Sequence, residues 1–417
     1  MNYNEELLPS GGGEQPPVYE PPKQGGFAKG VLAGAVGAAV VIAAILFIGG
    51  SVLFRLTSQG VVSSSARTKL SYLNGLIHQN FYENVEDDDL REGLYKGLVE
   101  GLDDPYSEYY TKKEYEDFQI STTGNYAGLG AQLSQDKETM IVTVARVYEG
   151  SPAEEIGLRA GDEIISADGV KAAEEELDAF VQRIRGEEGT KFELVFSHKG
   201  KEKRKTVTRA SITIPSVSHR MLGDGIGLIE IAEFSSNTLE EYEEALADLE
   251  KDGLKGIIFD LRTNPGGMVS SVTDILDDIL PEGTTVYMVD KKGEKTTYTS
   301  DEEKQIHYPI AVLTSENTAS AAEIFAGAIR DYDYGTLIGQ KTYGKGVVQS
   351  TFPLPDGSAL KLTIASYYTP NGESIHKKGI EPDIELEYKY SGDIDAKEYD
   401  YGADNQIQKA IEILKDE

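Results

Sequence analysis

Hydrophobic positions along the 417-residue chain change their spacing several times, and each change marks an element. Residues 30–54, GVLAGAVGAAVVIAAILFIGGSVLF, carry no charged side chain. As a helix this run reaches about 37 Å, enough to cross a hydrocarbon core of ~30 Å with some tilt. A Pro/Gly-rich leader, PSGGGEQPPVYEPPKQGG, precedes it, and its composition predicts disorder. From 66 to 118 the spacing is helical, with Leu70, Leu73, Leu76 and Ile77, then Leu90, Leu94, Leu98 and Leu102. Pro105 stops the second run. Residues 119–209 read as a β-rich unit with two short helices, and 210–389 alternate apolar strands with helices, as an α/β domain does. A tail over 390–417 ends in an amphipathic helix at 404–415. The helices of 66–118 and the tail helix both present apolar stripes that need a partner, either the core or a second copy.

The apolar run is longer than the core of a cleavable signal, and no A-x-A site follows it cleanly. The pattern predicts an uncleaved anchor over 27–54 and a cytoplasmic leader over 1–26, with the bulk of the chain outside a cell membrane crossed once. Lys23 and Lys29 on one side are balanced by Arg55, Arg67 and Lys69 on the other, so charge bias is a weak guide to orientation.

A formal charge of −31 argues against a nucleic-acid surface. The absence of cysteine excludes a disulfide framework, a thiol nucleophile and thiolate metal ligation. His78, His198, His219, His307 and His376 show no metal-ligand spacing, so neither a metal nor another cofactor is expected.

The chemistry concentrates in two segments of the α/β part. GIIFDLRTNPGG (256–267) is a buried type of strand running into a turn-rich loop. PIAVLTSENTASAAEIFAGAIRD is another such strand, a loop and a helix, with Ser320 where the helix begins. Helix-initial N–H groups have no intrahelical partner, and the helix dipole favours negative charge there. An oxyanion beside Ser320 could take the Ala321 N–H, with a second donor from Gly266 or Gly267, whose missing side chains allow close approach. Against this stands the plain reading that Ser320, like Thr318, only caps the helix. Twenty-five residues on, TYGKGVVQS sets Lys345 between glycines ahead of a strand. In extended chain Lys345, Val347 and Gln349 project to one face, so the amide could hold the amine in place. A lysine base must be neutral, a drop of about 3 pKa units that burial can supply.

Residues 119–209 resemble a PDZ domain. AGLGAQL (127–133) matches its carboxylate-binding loop, and SPAEEIGLRAGDEIISADG follows in the right order. Glycines there let the backbone N–H groups of Leu129, Gly130 and Ala131 face a terminal carboxylate while the peptide adds to the sheet edge. From about residue 70 to the C-terminus the chain resembles the carboxy-terminal processing (tail-specific) serine peptidases, in their membrane-anchored bacterial type. The resemblance rests on LYKGLVEGLDDPYSEYY, FDLRTNPGG, ENTASAAEIFAGAIRDYDYGTLIGQKTYGKGVVQ and YYTPNGESIHKKGIEPDI, in that order. It implies an α/β fold with a crotonase/ClpP-like core, an inserted β-rich PDZ domain, flanking helices and a transmembrane helix. It also implies Ser320 as nucleophile, Lys345 as general base, Gln349 orienting the lysine, and an oxyanion hole from Ala321 and a glycine of the Gly266-Gly267 pair. The implied partners are proteins or peptides with free C-termini, the membrane and a second copy of the chain. Asp260, Arg262 and Asn264 match the loop motif and are read as shaping it.

Other hydrolase patterns fit less well. There is no G-x-S-x-G elbow. Ser374 and Lys377 have S-x-x-K spacing, but Gly372, Gly379 and Pro382 leave no room for the helix it requires. Lys341 lacks the flanking glycines and a glutamine four residues on, and a triad through His376 or His307 stays open. The contrasting class is a membrane-anchored PDZ adaptor on an inert peptidase-like scaffold.

Overall fold

The computed structural model describes residues 60–416 except 302, 394, 395, 397 and 398. The leader and the expected membrane anchor fall outside the described residues, within which no helix is long and apolar enough to cross a membrane. The chain forms two units, 1–90 and 91–417. In the first, helix α1 (Ser64–Asn80) starts where Ser63 Oγ accepts from the Ala66 N–H. Its stripe of Leu70, Leu73 and Leu76 remains exposed. Helix α2 (Asp87–Glu100) opens on Asp87, Asp88 and Asp89, which suit the positive end of a helix.

The second unit continues with strand β1 (Glu108–Tyr110) and helix α3 (Lys112–Thr123). A Thr111–Glu114 capping box starts α3, and Gly124 ends it at φ +70°. The β-rich part then runs β2 (Asn125–Gly128), β3 (Ala131–Gln135), β4 (Val142–Val147), α4 (Pro152–Glu155), β5 (Glu163–Ala167), β6 (Val170–Lys171), α5 (Leu177–Ile184), β7 (Lys191–His198), β8 (Lys201–Thr208) and β9 (Ala210–Thr213). Strands β3-β4-β5-β7-β8 form its antiparallel sheet, with β6 on β5. Leu129, Val144, Ile164, Phe180, Phe192, Leu194 and Phe196 fill its core. The entry strand β2 pairs with the exit strand β9, so the module leaves and rejoins the chain at one place.

The remaining elements are β10 (Val217–Gly223), β11 (Ile226–Ile231), α6 (Thr238–Lys251), β12 (Gly256–Asp260), α7 (Val269–Ile279), β13 (Gly283–Asp290), β14 (Lys295–Ser300), β15 (Ile310–Thr314), α8 (Ala321–Asp331), β16 (Thr336–Gly339), β17 (Val347–Pro353), β18 (Ala359–Tyr368), β19 (Ile384–Glu385) and α9 (Asn405–Asp416). The main sheet, β10-β11-β12-β15-β16-β19, is parallel from β11 onward. Alternate residues explain its unbroken apolar strands. Ile229, Ile231, Phe259, Val312 and Leu337 pack with Tyr242, Ile275, Phe325 and Ile329 of helices α6, α7 and α8. Leu228, Ile258, Ala311, Leu313 and Ile338 pack with Ile407, Ala410 and Leu414 of α9. The tail helix therefore finds its partner in the core.

A second, antiparallel sheet runs β1-β18-β13-β14, with β17 also on β18. Strand β1 lies inside the 66–118 stretch expected to be helical, beyond its last leucine and Pro105. Tyr109 and Tyr110 are drawn into the strand by pairing with Leu360 and Ala359, some 250 residues away. Two loops at the carboxyl ends of β12 and β15 meet, as ligand-bearing loops of parallel sheets do. Arg262 anchors the first, binding Asp260, Asp404 (2.8 Å) and Gln406 (3.0 Å) at the start of α9. Asn264, fully buried, shapes it by donating to Ile231 O (2.9 Å).

Candidate active site

Ser320 stands at the turn from β15 into α8 with φ +56° and ψ −118°, a conformation L-residues adopt only under constraint. The constraint is visible around it. Thr318 Oγ1 donates to Leu261 O (2.8 Å) and accepts from the Ser315 N–H (2.9 Å), and the Ala319 N–H reaches Asn264 O (3.1 Å). Thr318 thus ties two loops together. Ser320 makes no side-chain cap bond, and its own N–H goes to Glu323 Oε2 (2.9 Å). Ser320 is thus the N-cap residue of α8, in a capping box with Glu323, whereas Thr318 spends its hydroxyl on Leu261 and Ser315.

The Gly266-Gly267 loop lies directly on the serine. A Cβ on Gly266 would sit 2.6 Å from Ser320 Cβ, and one on Gly267 2.2 Å from Phe234 O, so no other residue fits at either position. The Gly266 N–H is committed to Asn264 Oδ1 (2.8 Å). Of the three expected donors, the N–H groups of Gly267 and Ala321 are the ones without an acceptor among the described residues. Gly266 supplies clearance.

Lys345 enters from the loop before β17. Its flanking glycines are required by packing: a Cβ on Gly344 would meet Gly379 N at 2.8 Å, and one on Gly346 would meet His376 N at 2.6 Å. The half-buried lysine places Nζ 5.1 Å from the centre of the Tyr106 ring. Burial pushes its ammonium below the ordinary lysine range and repulsion from Lys361 adds to this, while Glu323 and Asp104 oppose both. The Tyr106 phenol, pushed up to about 12 by burial and by Tyr343, stays neutral beneath it.

Ser320, Lys345 and Gln349 line one cleft of 750 Å³ together with Gly267, Ile324 and Tyr367. Among the described residues no hydrogen bond joins Ser320 Oγ to Lys345 Nζ. Gln349 departs from the expected pattern. A bulge between Val348 and Gln349 breaks the simple alternation, and its amide donates to Thr363 Oγ1 (3.2 Å), with no bond to Lys345. No histidine lines the cleft, His307 is exposed, and Lys341 is paired with Glu381 (2.6 Å). Ser374 and Lys377 lie outside any helix.

In the β-rich module the Leu129 carbonyl accepts from the Ala153 N–H (2.8 Å). The Gly130 carbonyl takes the Tyr148 N–H (3.0 Å) and Ser151 Oγ (3.1 Å). Both carbonyls are thus drawn into the module. A groove of 240 Å³ runs beside this loop between β3 and α5, lined by Leu129, Ala131, Leu133, Leu177, Val181 and Ile184.

Comparison with known proteins agrees with these three parts. Residues 225–386 match peptidase family S41, 143–197 a PDZ domain, and 55–114 the N-terminal domain of the activating protease CtpB. The chain is 38% identical over 333 residues to a carboxyl-terminal-processing protease of Synechocystis, covering 78% of this chain and 77% of that one. The chain belongs to peptidase family S41. It is also 35% identical over 353 residues to the carboxy-terminal processing protease CtpA of Bacillus subtilis, covering 84% and 75% of the two chains. Among solved structures, the photosystem II D1 C-terminal processing protease aligns with a TM-score of 0.46 at 27% identity, covering 80% of this chain and 91% of that one.

In this S41 peptidase the residue that sequence reasoning missed is Glu323. Fully buried, it accepts at Oε2 from the N–H groups of Ser320 (2.9 Å) and Lys345 (2.8 Å), and at Oε1 from Thr342 Oγ1 (2.5 Å) and the Gly344 N–H (2.7 Å). The S-x-x-E spacing of Ser320 and Glu323 is a capping-box signal that could have drawn attention to it. Asp104, Tyr106 and Lys361 also surround the lysine, and nothing local in the sequence points to them. Glu323→Ala strands four donors and is expected to lower stability by about 3–5 kcal/mol. Glu323→Gln should rescue it only in part, because either amide orientation sets an NH2 against at least one backbone N–H. Denaturant midpoints at constant m-value measure this; a Gln variant within about 0.5 kcal/mol of wild type would refute the assignment.

Proposed function

We propose that the chain is a membrane-anchored serine endopeptidase that processes proteins near their C-termini, with Ser320 as nucleophile and Lys345 as general base. The observation that carries this reading is a strained serine at a helix start, sharing a cleft with a half-buried, unpaired lysine whose ammonium is disfavoured. Neutral Lys345 takes the hydroxyl proton as Ser320 Oγ attacks the scissile carbonyl. The resulting oxyanion accepts from the Ala321 and Gly267 N–H groups at the positive end of α8. The lysine, now an ammonium, gives its proton to the leaving amine, and water then clears the acyl-enzyme by the same route. Among the described residues Lys345 Nζ makes no hydrogen bond that it would have to break to reach Ser320. Gln349 acts from the cleft wall by fixing β17 on β18. The loop Leu129–Ala131 receives the substrate's free carboxylate, and the apolar run 30–54 holds the enzyme at the membrane with its catalytic part outside.

Ser320→Ala and Lys345→Ala should each lower kcat by at least about 10³-fold while the protein stays folded. Lys345→Arg should be as inactive as the alanine variant, since a guanidinium cannot act as a base near neutrality. Gln349→Ala should be slower but active. Because the base must be unprotonated and its pKa is lowered, activity should rise with pH through a value below the ordinary lysine range. A His376→Ala enzyme that is dead while Lys345→Arg turns over would overturn the assignment.

Amidating the C-terminus of a substrate peptide should weaken its binding to the Ser320→Ala protein. Equal binding of acid and amide forms would remove the carboxylate role of the PDZ loop.

Protease added to intact cells should digest a C-terminal epitope and spare a tag at Met1. Protection of both ends would refute the outside placement.

A further inference from the structure

Besides Lys345, the Ser320 cleft is lined by the charged groups Lys361, Asp290, the exposed Glu294 and the half-buried Glu233. Glu233 follows β11, and its neighbour Phe234 is bound on both sides of the oxyanion loop: the Phe234 N–H to Gly266 O (2.8 Å) and the Met268 N–H to Phe234 O (2.7 Å). Its backbone is therefore fixed relative to Gly267 and Ser320, and its side chain lines their cleft. The carboxylate is half-buried, and among the described residues no donor or cation reaches it. Ser121 and Thr122, on the α3 wall of the cleft, both spend their hydroxyls on Phe118 O (2.8 and 2.9 Å). Lys361 is held by Glu108 and the Tyr110 hydroxyl. Asp290, another lining carboxylate, is taken up by the Lys292 and Glu294 N–H groups of its own hairpin turn. Burial alone pushes the Glu233 carboxyl up, with nothing opposing it.

Removing a carboxylate from water without a partner is costly, and the cost disappears when a ligand brings the missing cation. We infer that Glu233 is a substrate subsite for a lysine or arginine side chain, held at one fixed position in the Ser320 cleft. This rests on the peptidase reading of the cleft and adds a sequence preference independent of the substrate's C-terminus. A single carboxylate is a poor cage for a divalent ion, whereas it matches one ammonium or guanidinium.

The test uses the purified full chain in detergent and peptides sharing one free C-terminal tail. Lysine, arginine or methionine is placed in turn at each position around the cleavage site located by mass spectrometry. One position should favour Lys or Arg over Met by about ten-fold in kcat/KM, and added salt should shrink that ratio. In Glu233→Gln the ratio should fall to about one, and in Glu233→Lys glutamate should become preferred at the same position. Melting temperatures of the variants report folding separately. Ser320-dependent cleavage with no cation-preferring position would overturn the subsite alone, as would a preference that survives in Glu233→Gln. No cleavage of any peptide would instead remove the peptidase reading, and the subsite with it.

Discussion

A buried carboxylate that has lost its water must be fully engaged by the protein around it, and the catalytic end of this molecule is organised by that demand. Glu323 satisfies it with four donors drawn from two segments more than twenty residues apart. One oxygen takes the N–H groups of Ser320 and Lys345 together, so both backbones are referred to a single atom. The unusual backbone of Ser320 persists because this carboxylate, the glycine loop and Thr318 all fix it.

The same logic extends outward. Thr342 is shared between Glu323 and the Ile380 N–H (2.7 Å), which brings the segment around His376 against the lysine loop. On the other side the Asp260–Arg262–Asp404 group fastens the glycine-bearing loop to the tail helix. Removing one member of such a buried set leaves an uncompensated charge, so its worth lies in holding geometry more than in adding stability.

Much of this was legible in the sequence, for identifiable reasons. Strands such as Ile257–Phe259 and Ile310–Leu313 are apolar on both faces because helices cover both, and that pattern is local. Glycines at 266, 267, 344 and 346 advertise close approach because a Cβ at each would collide with backbone or with Ser320. Other features depend on partners far along the chain. Strand β1 falls within a stretch read as helical, past its last leucine and Pro105, and its extended form depends on meeting β18. Simple alternation puts Gln349 on one face with Lys345, and the bulge in β17 undoes this, while Tyr106 reaches Lys345 only through the fold.

The pairing of β2 with β9 has a consequence for how the chain tolerates its own length. The Ile214 N–H donates to Gly124 O (2.7 Å), so the residues on either side of the module are already hydrogen-bonded to each other. To the catalytic domain the intervening ~90 residues amount to a single closed loop, whose closure entropy grows only with the logarithm of its length. The module's own apolar interior sustains its folding. Insertions, deletions or exchange of the PDZ module between these two anchor points can therefore proceed without renegotiating the geometry around Ser320, so the two domains can diverge at different rates.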